Sequence, residues 1–133
     1  MSDSEEPDFS AKGQFLVYSA EDGRTKIEVR LENETVWLTQ QQMADLFQTT
    51  KQNVSLHLQN IFAERELDRA ATVKESLTVQ REGDRSVQRR VEFYNLDAII
   101  SVGYRVKSAV ATRFRIWATQ QLREFIIKGF VLD

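Results

Sequence analysis

The sequence predicts an α+β fold, specifically a winged helix-turn-helix-like domain with an N-terminal β-meander, a β-hairpin wing and a long C-terminal helix. Three observations predict it. Residues 14–38 contain three short runs in which apolar and polar side chains alternate, which is typical of strands. Residues 39–62 contain two short helical patterns separated by a tight turn. Residues 72–94 alternate again on either side of a glycine-containing turn, which is typical of a hairpin.

The N-terminal part of the chain divides into a leader and three strands. Residues 1–13 are polar, carry four acidic side chains and contain the only proline, so we expect a disordered acidic leader. The domain is then expected to span residues 14–133. Its first strands are predicted at Gln14–Ser19, Thr25–Leu31 and Thr35–Leu38.

Start signals define the two helices of the predicted helix-turn-helix. Thr39 is a favourable N-cap, and Gln42 three residues later can complete a capping box. Gln48 and Thr49 are expected to form the turn, and Thr50 to cap the second helix. A second helix set by such a turn can enter the major groove of DNA.

The second helix separates into an apolar and a polar face. Three apolar residues recur at helical spacing and are expected to be buried: Val54, Leu58 and Ile61. Four polar residues on the other side are candidates for reading DNA: Lys51, Gln52, Ser55 and Gln59. Such side chains hydrogen-bond base edges or phosphates, although any short amphipathic helix exposes residues of this kind. Leu56 fits least well, because the helical wheel puts it near the exposed face; a thymine methyl, a partner protein or the wing could contact it.

The predicted hairpin carries four arginines at its tip and along its arms. Its strands are expected at Thr72–Gln80 and Val87–Tyr94, with the turn at residues 81–85. The arginines that would reach phosphates or the minor groove are Arg81, Arg85, Arg89 and Arg90. The alternative interpretation is that these are solvent-exposed charges that pair with Glu82 and Asp84.

Two further helices are predicted after the hairpin. Asn95 is expected to cap a short helix over residues 96–102 that closes near Gly103. Ser108 is expected to cap a long helix that runs to Lys128, with Gly129 at the C′ position. Trp117 lies on the apolar stripe of that helix and is expected to belong to the core.

Composition bounds the function of the chain. The formal net charge is −2, but residues 1–34 hold 4 basic and 9 acidic side chains whereas residues 72–128 hold 11 and 6. A basic surface in the second half is therefore compatible with an acidic chain. Cysteine is absent, His57 is the only histidine, and there is no glycine-rich phosphate loop. We therefore expect no enzymatic activity, no metal and no cofactor. No apolar run approaches the length of a membrane span, so we expect a cytoplasmic protein.

The chain resembles the RhuM family of virulence-associated bacterial proteins. The resemblance is carried by VEFYNLDAIISVGYRVKSAVATRFRIWATQQLREFIIKGF at residues 91–130, supported by WLTQQQMADLF and ATVKESLTVQREGDR. A weaker similarity extends to the Bro-N and KilA-N domains of phages and viruses. The resemblance implies a prokaryotic DNA-binding protein encoded near type I restriction-modification genes or on mobile elements. It also implies that the chain is the N-terminal part of a longer protein, because family members carry a further helical region.

Two hypotheses follow from the sequence. The first is a module that binds duplex DNA through the second helix and the arginine-bearing hairpin. The alternative is a module for protein interaction or homodimerisation, linked to a restriction-modification or toxin-type partner, with any activity in a C-terminal region beyond Asp133. The acidic leader and the position of Leu56 motivate this alternative.

Overall fold

The computed structural model describes the backbone of residues 14–132 and the side chains of residues 14–125. The predicted leader, residues 1–13, lies outside the described residues, as do the side chains from Ile126 onward.

The described chain is a mixed α+β domain, as predicted. Five strands form one antiparallel sheet in the order β1-β2-β3-β5-β4. The elements are β1 (Gln14–Ser19), β2 (Lys26–Glu32), β3 (Thr35–Leu38), α1 (Gln40–Phe47), α2 (Lys51–Ala63), α3 (Arg69–Thr72), β4 (Val73–Glu82), β5 (Arg85–Asn95), α4 (Leu96–Val106) and α5 (Ser108–Leu132).

Along the chain, the helix pair α1 and α2 lies between strand β3 and the hairpin formed by β4 and β5. β3 pairs with β5 through only two residue pairs, Trp37 with Asn95 and Leu38 with Tyr94. β4 and β5, in contrast, pair along their whole length, from Val73–Tyr94 to Glu82–Arg85. Most of this hairpin therefore extends past the short strand β3, and it projects from the sheet as a two-stranded arm.

One side of the sheet, here called the helix side, carries the core. Side chains alternate along a strand, and directly opposed residues share a side. The helix side includes Leu31, Leu38 and Tyr94, each at most 1% exposed, and these residues belong to the same buried cluster as Phe47 and Phe114 of the helices. Trp117 packs against this cluster and forms an edge contact with Tyr18, in agreement with the expectation that it belongs to the core.

The predicted helix starts are confirmed at three positions. The Thr39 hydroxyl accepts a hydrogen bond from the Gln42 backbone N–H at 3.1 Å, and the Gln42 side chain accepts one from the Thr39 N–H at 2.8 Å, which completes the capping box. The side chains of Thr50 and Asn95 cap α2 and α4 by accepting hydrogen bonds from the backbone N–H groups of Asn53 and Ala98.

The two predicted glycine stops are wrong. α4 continues through Gly103 to Val106, because this glycine serves close packing between helices. A Cβ on Gly103 would lie 2.5 Å from Cζ of Phe47 and 2.6 Å from Cβ of Ala111. Gly129 lies inside α5, which runs to Leu132. A single glycine costs a long helix only about 1 kcal/mol, which its other residues can offset.

Ser108 begins α5 instead of capping it. The first helical hydrogen bond of α5 runs from the Ala111 N–H to the Lys107 carbonyl at 3.0 Å. Lys107 therefore occupies the N-cap position, one residue earlier than predicted.

Candidate nucleic-acid interface

A compact turn connects α1 to α2. Gln48 ends α1 in the left-handed conformation with φ 55°. The Thr49 N–H donates to the Ala44 carbonyl at 2.9 Å, and the Thr49 hydroxyl accepts from the Asn53 side-chain amide at 2.9 Å. These bonds anchor the start of α2 to the end of α1. The orientation of α2 is thus fixed by local contacts as well as by burial of Val54 and Ile61.

The exposed face of α2 carries most of the predicted reading residues. Lys51, Gln52 and Gln59 are exposed, whereas Ser55 is half-buried at the edge of this face. Leu56 is 52% exposed and lies near the middle of it. The face therefore combines amide side chains with one large apolar side chain.

The hairpin divides its four arginines between two sides. Tyr94 is on the helix side, and alternation along β5 puts Arg90 on that side as well. Arg81 joins it, because Arg81 is opposed to Ser86, which lies four residues from Arg90. Arg85 and Arg89 point to the other side. The sequence prediction grouped the four arginines as one clamp, but the register separates them into two pairs.

Ion pairs further distinguish these arginines. Arg89 forms two hydrogen bonds with the Glu82 carboxylate, at 2.8 and 2.9 Å, so the alternative interpretation of this arginine is supported. Arg90 lies 3.2 Å from Glu75 across the hairpin. Within residues 14–125, Arg81 and Arg85 have no ion pair, and neither does Asp84.

A cleft lies between the helix pair and the helix side of the hairpin. Its volume is about 580 Å³, and it is open to solvent. The residues that line it come from the N-terminal turns of both helices and from both hairpin strands: Thr39, Gln40, Gln41, Lys51, Glu75, Gln80, Arg90, Val91 and Glu92. Lys51 and Arg90, predicted independently from α2 and the hairpin, thus line the same cleft.

A polar network at the base of the cleft was not predicted from the sequence. Gln40 donates to the Tyr94 hydroxyl at 2.9 Å, and that hydroxyl donates to the Glu92 carboxylate at 2.8 Å. Glu92 also pairs with Arg69. Burial raises the pKa of Tyr94 above its ordinary value, and the bond to Glu92 acts in the same direction. The network joins α1, β5 and α3, and no periodic pattern could have revealed it, because its members are up to 54 residues apart.

In the described part of the chain, no group of three histidine, cysteine or carboxylate residues is arranged to hold a metal ion. His57 is half-buried on α2, and its Nδ1 is buried without a hydrogen-bond partner among the described atoms. None of the helices over the described range is both long and apolar enough to span a membrane.

Comparison with known proteins gives one match. The model of the Virulence protein RhuM family matches residues 71–133, which extend from the end of α3 through the hairpin and α4 to the end of the chain. No curated protein and no solved structure matches the chain. The four hairpin arginines fall inside the matched region, and the four polar residues of α2 fall outside it. In residues 71–133, just under half of its length, the chain is thus similar to the RhuM family.

Proposed function

We propose that this protein binds duplex DNA, with α2 in the major groove and the helix side of the hairpin against the phosphate backbone. The observation that carries the proposal is the cleft that is lined both by Lys51 at the start of α2 and by Arg90 on the hairpin. The proposed role is binding without catalysis.

The chemistry of α2 supports this role. The segment Lys51–Ala63 contains no aspartate or glutamate, although the whole chain holds 20. A helix that enters the major groove approaches phosphates on both sides, so acidic side chains on it would be repelled. Its exposed glutamines, Gln52 and Gln59, can form paired hydrogen bonds with adenine N6 and N7.

The order of the elements supports the same role. The helix pair follows β3 and precedes β4, and β5 returns between these two strands. This is the arrangement expected of a winged helix, in which the hairpin flanks the second helix of the pair. The projecting arm of β4 and β5 would act as the wing.

The hairpin register refines which cations contribute. Arg81 and Arg90 share the side of the cleft with Lys51 and are the proposed phosphate contacts. Arg85, beside the turn, is the proposed contact of the tip with a neighbouring groove or phosphate. Arg89 is already bound to Glu82 and would contribute least. Arg90 must exchange Glu75 for a phosphate, which weakens its net contribution.

Selection from a random duplex pool, followed by fluorescence anisotropy at several salt concentrations, tests the proposal. We expect enrichment of a defined sequence and a logarithmic salt slope close to 0.9 for each phosphate contacted, hence roughly 2 to 4 for these cations. Absence of binding to any duplex at low salt would overturn the proposal. DNA binding would also imply a cytoplasmic protein and would fit a role beside restriction-modification genes.

A protein-interaction module is the second candidate. The edge strand β1 favours it, because β1 has no charged residue and leaves Phe15 and Val17 59% and 60% exposed. Uncharged edge strands can pair with another chain, including a second copy. Light scattering would reveal a homodimer, and Val17→Lys should then dissociate it; a monomer at all concentrations would count against this candidate.

A further inference from the structure

Leu56 occupies the centre of the exposed face of α2. Consecutive helical residues are separated by about 100°, so residues two positions apart lie nearly opposite each other. Val54 and Leu58, the residues two positions before and after Leu56, are fully or almost fully buried. Leu56 is therefore the side chain directed most nearly away from the core, and it remains 52% exposed.

Polar amide side chains surround this leucine. Gln52 and Gln59, four residues before and three residues after Leu56, share its face, and Asn60 flanks it. All three are exposed. Leu56 is the only large apolar side chain of α2 that is strongly exposed. A protein-docking surface usually presents a contiguous apolar patch of several hundred Å², and a single leucine among amides is far smaller.

A ligand that complements this face of α2 should present a small apolar group surrounded by hydrogen-bonding groups. In the major groove of DNA, the apolar group on the base edges is the methyl at C5 of thymine, and acceptors and donors surround it. A cytosine that is methylated at C5 presents a methyl group at the equivalent position. Glutamines at neighbouring positions match the acceptor and donor of adenine.

We propose that Leu56 recognises a pyrimidine C5 methyl group in the major groove and thereby adds to the sequence preference of α2. This inference rests on the proposed DNA-binding function. Gln52 and Gln59 read the bases on either side of that pyrimidine. Along the helix axis, Gln52 to Gln59 covers about 10 Å, which matches about three base-pair steps of about 3.4 Å.

The test uses the duplex that selection enriches most strongly. Each thymine is replaced in turn by deoxyuridine, which removes only the C5 methyl, and binding is measured for the unchanged protein and for Leu56→Ala. At one position we expect a loss of about fourfold for the unchanged protein, the effect of burying one methyl group, and no further loss for Leu56→Ala. Ile116→Ala is the matched control, because Ile116 on α5 is 54% exposed and should retain full sensitivity to deoxyuridine.

A second arm identifies the source of the methyl group. Cytosine and 5-methylcytosine are compared at the sensitive position, with guanine opposite. A gain in affinity for 5-methylcytosine that depends on Leu56 would show that the site also detects methylated DNA. No gain in affinity would restrict the site to thymine. Either outcome supports methyl recognition, provided that the deoxyuridine effect depends on Leu56. Equal binding to thymine and deoxyuridine at every position, or an undiminished deoxyuridine effect in Leu56→Ala, would overturn the inference while leaving DNA binding intact. Failure to bind any duplex would instead overturn the proposed function.

Discussion

The exposed face of α2 and the hairpin represent two ways of presenting polar residues. α2 presents neutral amides around Leu56, and no acidic residue lies among its 13 residues. The hairpin mixes both signs, so that Arg89 and Arg90 are paired with Glu82 and Glu75. In the proposed complex with DNA, the face of α2 would discriminate by hydrogen bonding and shape, whereas the hairpin would attract phosphates with arginines that are partly neutralised by its own carboxylates. Affinity and specificity should therefore be separable by mutation.

The largest effect should come from a change in the helix core, on whose stability both regions depend. Gly103→Ala would force a methyl group against the fully buried ring of Phe47 and against Ala111. We expect the free energy of unfolding to fall by roughly 1–3 kcal/mol, which is typical of overpacking. Urea denaturation followed by circular dichroism measures it.

Gly23→Ala provides the comparison for that variant. Gly23 has φ +74°, so alanine there is strained, but a Cβ would meet no atom within 4 Å. We expect a loss of about 1 kcal/mol, because the left-handed conformation costs alanine roughly 1–2 kcal/mol and the stiffer unfolded chain offsets part of that cost. If Gly103→Ala were no more destabilising than Gly23→Ala, the helices around Gly103 would be able to accommodate a methyl group, and stability would not require their close packing.

The next effect separates α2 from the hairpin. Replacing Gln52 and Gln59 together with alanine should weaken binding to the selected duplex by roughly 10- to 100-fold, because each amide–adenine pair is lost. Binding to an unrelated duplex should change little, since the phosphate contacts remain. Anisotropy with the two duplexes measures the ratio.

Gln120→Ala is the control for the glutamine variants, because Gln120 is an exposed glutamine on α5. It should leave both affinities unchanged. An equal loss for both duplexes in the Gln52 and Gln59 double variant would mean that α2 supplies general attraction and not discrimination.

Two adjacent arginines on opposite sides of the hairpin sharpen the comparison further. Arg90→Ala should lower the salt slope by about one, whereas Arg89→Ala should leave it unchanged. Glu75→Gln should increase affinity for all duplexes, since it releases Arg90 without removing it. Titrations at four salt concentrations distinguish these outcomes. Equal slopes for the two arginine variants would contradict the division of the hairpin into two sides.

The smallest effect lies outside both regions, in the turn between β1 and β2. Backbone and side-chain hydrogen bonds from Thr25, together with the Arg24 N–H, lower the pKa of Asp22 from 3.8 to about 2. The ionised carboxylate therefore stabilises the fold above pH 4, and this stabilisation is lost as the pH falls through about 2.

Asp22→Asn tests this turn. At pH 5 the variant should unfold slightly more easily than the natural chain, and the difference should disappear near pH 2. Thermal unfolding across that range measures it. DNA affinity at pH 7 should be the same for both proteins, and a changed affinity would show that the two surfaces are not independent of this turn.

The sequence predicted local structure better than contacts between distant residues. The capping box at Thr39 and the caps at Thr50 and Asn95 depend on residues three positions apart, and all are confirmed. Gly103 misled the prediction because a glycine at a helix end and a glycine at a helix contact look alike along the chain. Only the partner, Phe47, distinguishes them.

In the candidate site, too, contacts between distant residues could not be predicted from the sequence. Alternation predicted the hairpin, but which arginines face α2 depends on the register between β4 and β5. Pairing of Arg90 with Glu75, 15 residues away, follows from that register. Helical spacing predicted that Leu56 is exposed. Its central position among exposed amides required the exposure of each residue of α2, which only the structure provides.

The two-pair contact between β3 and β5 has a consequence for how this chain folds. The pairing of Trp37 with Asn95 closes a loop of about 58 residues that contains both helices of the pair and the whole hairpin. Local hairpins and helices form quickly, but closing a long loop has an entropic cost that must be met before its contacts form. We therefore expect joining of the two strand groups to limit the folding rate, so that weakening this short junction slows folding more than it accelerates unfolding.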